Sequence, residues 1–171
     1  MSRGIIVDAA QFAQTAHAGQ RRKYTGQPYI YHPGRVAMRA TLLGLKDEQI
    51  AAAWLHDVVE DTAVTLGEIV SRFGMEVGSI VHGLTNVYSA KSHPDMNRKQ
   101  RKAAEFERVT QLPTEVKIIK LLDRIDNLGE MDASDSFIKL YTRESQDLLH
   151  ALRGTDKALE DELWEKIQKF Q

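Results

Sequence analysis

The sequence predicts an all-α fold, and three observations carry that reading. Apolar residues recur at helical spacing along nearly the whole chain. No stretch sustains the period-two alternation that a half-buried strand needs. With 4 Pro and 11 Gly in 171 residues, long irregular tracts are not expected. A hydrophobic content of 42% over this length suits one domain with a true core. No internal repeat, low-complexity segment or domain boundary stands out.

The elements follow in order. Ile5, Ala9, Phe12 and Ala16 recur at four, three and four residues, one face of a first helix. Val36, Ala40 and Leu43 mark a second, opened near its first turn by Pro33. Ile50, Ala53, Trp54 and Asp57 share a face of a third, read as continuous towards Asp61. Thr65 and Glu68 have capping-box spacing, and Gly74 is placed to close that short helix. Ile80, Val81 and Leu84 suggest another short one. Lys99 to Leu112 is polar and reads as surface-lying. Pro113 starts a helix reaching about Leu128. Phe137, Leu140, Tyr141, Leu148 and Leu152 give the next, ended by Gly154, and Leu159, Leu163, Ile167 and Phe170 line the last. Two polar loops, Gly19 to His32 and Ser89 to Asn97, interrupt this pattern.

Charge and composition exclude several functions. Lys plus Arg is 23 and Asp plus Glu is 24, a formal net charge of -1. A general nucleic-acid binder is usually clearly basic, so no nucleic-acid partner is expected. With no Cys there is no disulfide, thiolate metal site or thiol nucleophile, and a cytoplasmic setting is expected. Met1 to Ile6 holds no long apolar run, so no signal peptide is expected. No segment approaches the roughly 20 apolar residues that span a bilayer, so no membrane partner is expected. The oligomeric state stays open.

Three segments carry candidate chemistry. The first is AAAWLHDVVEDT, residues 51–62. On a helix His56 and Asp57 leave about 100° apart and can grip one ion from neighbouring directions. Glu60 follows His56 by four residues and Asp61 follows Asp57 by four, a spacing of roughly 5–6 Å at Cβ. Asp57 shares the inward face, and a buried carboxylate needs a partner. A divalent cation suits it, with imidazole and carboxylates as N and O ligands. A solvated or salt-bridged helix end is the plainer reading.

The second segment is VKIIKLLDRIDNL, residues 116–128. Apolar residues on almost every side predict a largely buried helix, which makes Asp123 another inward carboxylate. An ion pair to Arg124 or Arg143, or a hydrogen bond to a core histidine, would also satisfy it. Asp126 and Asn127 fall on roughly the same side. The third is QRRKYTGQPYIYHP, residues 20–33. His32 stands at a helix entry, a rigid position for a ligand. Arg21, Arg22 and Lys23 form a basic run able to meet phosphate oxygens, or an ordinary solvated loop. Of Tyr24, Tyr29 and Tyr31, two are expected in the core. Lys91, Arg98, Lys99, Arg101 and Lys102 read mostly as solvated surface, and His17, His82, His93 and His150 as structural or surface residues.

Together the motifs RRKYTGQPYIYHP, LHDVVEDT and KLLDRIDNL resemble the HD-domain phosphohydrolases. The closer resemblance is to the alarmone hydrolase domains of RelA/SpoT-type enzymes and the stand-alone Mesh-type small alarmone hydrolases. The segment after Met131 matches only as generic helices. The resemblance implies one compact HD-type helical domain over residues 1–171. It implies that His32, His56, Asp57 and Asp123 hold a single Mn²⁺ and that Glu60 and Asp61 position and activate water. It further implies that Arg22 and Lys23 contact the nucleotide and that Asn127 lies near the ribose and its 3′ side. The implied reaction is hydrolysis of the 3′-pyrophosphate of (p)ppGpp, or of its adenine counterpart. Two positions depart from the family pattern: Asp126 stands where the bifunctional enzymes usually carry His, and Gly129 where an Arg usually follows the Asn. The alternatives are another HD-type phosphohydrolase acting on a dNTP, a 5′-nucleotide or NADPH, and a non-catalytic nucleotide sensor.

Overall fold

A computed structural model describes residues 4–170. Among them there are nine helices and no strand, as the periodicity predicts. The sole sheet-like feature among the described residues is an isolated antiparallel bridge between Arg21 and Pro28. The expectation for Met1 to Ile6 concerns in part residues outside those described. None of the described helices is long and apolar enough to cross a membrane. The chain forms two compact units, one ending at Thr85 and one beginning at Asn86.

The first unit holds α1 (Ile5–Ala16), α2 (Tyr31–Leu42), α3 (Asp47–Leu55), α4 (Val58–Asp61) and α5 (Leu66–Leu84). The centre is α3, against which α1, α2 and α5 all pack. Ile50, Ala51, Ala52, Ala53 and Leu55 are all buried on it. The alanine run lets three neighbours approach one short helix, because each side chain ends at Cβ. Gly34 of α2 sits against the Trp54 indole, and a Cβ there would lie 3.0 Å from Cη2. Thr65 caps α5, accepting from the Glu68 N–H while the Glu68 carboxylate accepts from the Thr65 N–H at 2.7 Å. Gly74 then departs from helical geometry at φ 89°, so α5 is two helical runs joined at a kink. The sequence expects two short helices here, and the left-handed glycine is where the first one ends.

The second unit holds α6 (Arg98–Thr110), α7 (Thr114–Glu130), α8 (Ile138–Ala151) and α9 (Lys157–Gln168). Helix α8 packs on α6 and α9, and α9 packs on α7. As expected, α7 is largely buried, through Val116, Ile119, Leu121, Leu122, Ile125 and Leu128. The polar stretch from Lys99 to Leu112 is less superficial than its composition suggests. It forms most of α6 and buries Val109 together with Glu105. Arg108 neutralises Glu105 at 2.6 Å. A second inward acid, Glu144 of α8, takes a two-pronged hydrogen bond from Arg98 at 2.6 and 2.9 Å. Such bidentate pairing is what makes a buried carboxylate tolerable.

Candidate metal centre

The helix that carries HD is interrupted, which corrects the expectation of one continuous run to Asp61. Helix α3 ends at Leu55, α4 begins at Val58, and His56 and Asp57 form the turn between them. Both residues keep right-handed helical angles. The Asp61 N–H still reaches the Asp57 carbonyl at 2.9 Å, so the four-residue spacing of the acids survives. The His56 Nδ1–H donates to the Ala53 carbonyl at 2.8 Å, satisfying one end group of α3. That bond fixes the tautomer and leaves the Nε2 lone pair facing inward.

His32 comes from the first turn of α2. Its N–H bonds to the Tyr29 carbonyl at 3.0 Å, Pro33 follows it, and the ring is fully buried. The two imidazoles meet edge to face with Nε2 atoms 3.2 Å apart. Asp57 Oδ2 lies 3.1 Å from His56 Nε2 and 3.4 Å from His32 Nε2. Separations of roughly 3.0–3.4 Å are what a cation with bonds of about 2.1 Å imposes on neighbouring ligands. The donor set of two imidazole nitrogens and one carboxylate oxygen therefore fits a divalent metal. Burial by itself pushes the Asp57 carboxyl up, but the His56 and His32 imidazoles override it and hold the group well below the usual carboxylate range.

Tyr29 closes this cluster and is the residue the sequence reading misses. Its hydroxyl donates towards Asp57 Oδ2 at 2.7 Å and Asp61 Oδ2 at 2.9 Å. Burial, followed by the charges of Asp57 and Asp61, pushes its pKa far up, so it stays a neutral donor. Burial and the neighbouring Asp57 charge also raise the Asp61 carboxyl. None of the three loop tyrosines belongs to the core: Tyr31 is exposed, while Tyr24 and Tyr29 are half-buried. The phenol keeps Tyr29 beside charged groups, where a purely apolar ring would gain nothing. His17 is buried and stacks on it with centroids 4.7 Å apart.

The basic run lies on aromatic platforms. The Arg22 guanidinium stands 5.2 Å from the Tyr29 ring centre, and Lys23 Nζ stands 4.7 Å from that of Tyr24. Arg21 instead donates to the Gly26 carbonyl at 2.8 Å and braces its own loop. Glu60 and Asp61 are exposed on α4. Asp123 and Asn127 stand on α7 in the second unit, where the Asn127 amide donates to Asp123 Oδ1 at 2.6 Å. Arg124, one of the partners considered for Asp123, donates to Ser145 Oγ at 3.0 Å and stacks on Tyr141.

A helical fold with a buried His, an adjacent His–Asp pair and a trailing acid pair defines a class. The HD domain family matches residues 9–156, and the chain belongs to that family. Within it, the chain is 34% identical over 167 residues to the human guanosine-3′,5′-bis(diphosphate) 3′-pyrophosphohydrolase MESH1, covering 92% of this chain and 90% of the relative. It is 41% identical over 127 residues to the Aquifex aeolicus guanosine-3′,5′-bis(diphosphate) 3′-pyrophosphohydrolase. That match covers 72% of this chain but spans only 17% of the length of the bacterial relative. Among solved structures, a metazoan SpoT ortholog that hydrolyses ppGpp superposes with TM-score 0.84 at 26% identity, covering 99% of this chain and 97% of that one.

Proposed function

We propose that this chain hydrolyses the 3′-pyrophosphate of (p)ppGpp, or its adenine counterpart, in a Mn²⁺-dependent reaction. The observation that carries the reading is the convergence of His32 Nε2, His56 Nε2 and Asp57 Oδ2 within 3.4 Å in a chain 34% identical to human MESH1 over 167 residues. Those three residues hold the cation, and Asp123 is its fourth protein ligand on the family resemblance. When bound, the ion polarises the phosphoryl group and acidifies water. Glu60 and Asp61 orient the attacking water and take its proton. Water adds to the phosphorus carried by the ribose 3′ oxygen and the P–O3′ bond breaks. The 3′ oxygen leaves with a proton, giving the nucleoside 5′-di- or triphosphate and pyrophosphate. Arg22 and Lys23 offset substrate charge, and Asn127 contacts the ribose side. Preorganised charge of this kind is often the largest catalytic contribution. Residues 1–171 act as one HD-type domain in the cytoplasm, with the nucleotide as their small-molecule partner.

Incubation with Mn²⁺ and guanine and adenine 3′-diphosphate nucleotides, with products resolved by ion exchange, tests this. Pyrophosphate release is the expected outcome. Orthophosphate from 5′-nucleotides or NADPH, with no turnover of the 3′-diphosphates, would show a different HD-type phosphohydrolase. Asp126 and Gly129 make the base comparison informative, because a cation common in the family is missing at Gly129.

A further inference from the structure

We propose that Tyr29 is a positioning residue that ties the metal ligand Asp57 to the water-orienting acid Asp61. This rests on the reading above for the roles of the two carboxylates. The Tyr29 hydroxyl lies 2.7 Å from Asp57 Oδ2 and 2.9 Å from Asp61 Oδ2. A phenol has one proton, so two acidic oxygens share it. Asp57 Oδ2 is also the oxygen that faces both imidazoles, at 3.1 and 3.4 Å. A carboxylate oxygen has two lone pairs, one able to face the cation and one the phenol. Without the shared hydroxyl, two neighbouring negative groups would repel and spread.

The rest of the loop holds the phenol at this point. The Tyr29 ring is stacked by His17 and met edge-on by His32 at 5.9 Å. The Tyr29 N–H donates to the Gln20 carbonyl at 3.0 Å. The Gln20 side-chain amide donates to the Asp61 main-chain carbonyl at 2.8 Å. Gln20 Oε1 is then the acceptor for His17 Nδ1–H at 2.8 Å, which fixes the tautomer of the stacking ring. Asp61 is thus held twice by the segment 17–29, at its carboxylate by Tyr29 and at its backbone by Gln20. Arg22 rests on the same Tyr29 ring. One side chain therefore joins the substrate-facing cation, the metal ligand and the acid. Outer hydrogen bonds of this type typically account for about 10–100-fold in metal affinity or activity.

Tyr29→Phe keeps the ring, the stacking and the Arg22 platform and removes only the O–H. Titration of the metal-free full chain with Mn²⁺, followed by the paramagnetic signal of free Mn²⁺, is expected to show affinity weakened by about 10–100-fold. With ppGpp, kcat is expected to fall over a similar range while KM stays within about twofold, because the Arg22 platform remains. In an Asp61→Asn background the further loss in kcat from Tyr29→Phe is expected to shrink, since one of its two acceptors has lost its charge. Melting of the metal-free variant within a few degrees of the parent separates positioning from misfolding. Unchanged Mn²⁺ affinity overturns the proposal, and so does full additivity with Asp61→Asn. If the parent binds Mn²⁺ but turns over no 3′-diphosphate nucleotide, the proposed activity fails while the Mn²⁺ titration still decides the role of Tyr29.

Discussion

Two imidazoles and a phenol converge on one oxygen of Asp57. Asp57→Asn swaps that charge for a neutral amide, so Mn²⁺ binding and hydrolysis are expected to vanish together in a paired titration and turnover assay. Glu60 is exposed on α4. Glu60→Gln is expected to leave Mn²⁺ affinity intact while slowing turnover by roughly 10²–10⁴-fold, the usual cost of a lost general base. Full activity in that variant would remove Glu60 from its assigned role. His56 and Asp57 were legible as candidate ligands because adjacent donors on an inward face are a local pattern. Tyr29 was not legible, since its partners lie 28 and 32 residues downstream and a loop tyrosine carries no periodicity.

Helices present these residues through a few local devices. At Gly34 a methyl group would lie 3.0 and 3.2 Å from Cη2 and Cζ3 of the Trp54 indole, so the indole or α2 would have to shift. Gly34→Ala is expected to cost about 1–3 kcal/mol, read as a lowered denaturant midpoint, with a weakened Mn²⁺ site because α2 carries His32. The Thr65 cap is independent of the site. Thr65→Ala is expected to cost roughly 0.5–2 kcal/mol without changing turnover. Hydrogen bonds from the Thr65 N–H and hydroxyl hold the Glu68 carboxyl below its ordinary value. Its stabilising part is therefore present above the usual carboxylate pKa and fades as pH falls through the depressed folded value. The melting difference between Thr65→Ala and parent should accordingly narrow in acid. Capping and the Gly74 stop were readable from spacing alone. The break at His56 and Asp57 was not, because apolar and acidic positions keep helical phase across it.

For the whole chain, a metal held at the proposed site would link binding to folding. A ligand that binds only the folded state at 100 times its Kd adds about 2.7 kcal/mol. Added Mn²⁺ should raise the melting temperature, chelation should lower it again, and Asp57→Asn should show neither shift. Asp123→Asn is expected to shrink the Mn²⁺-induced shift, and an undiminished shift would remove Asp123 from the ligand set. The all-α class, most helix positions and the three motif-bearing segments were written in periodicity, capping residues and spacing, all of which act over a few residues. The meeting of His32 with His56 and Asp57 came only from α2 and α3 packing side by side. Tertiary packing likewise set the placement of a phenol between two acids and the pairing of buried Glu144 with Arg98. Those contacts join residues far apart in the chain, and no local energy term records which distant partner a buried polar group will find.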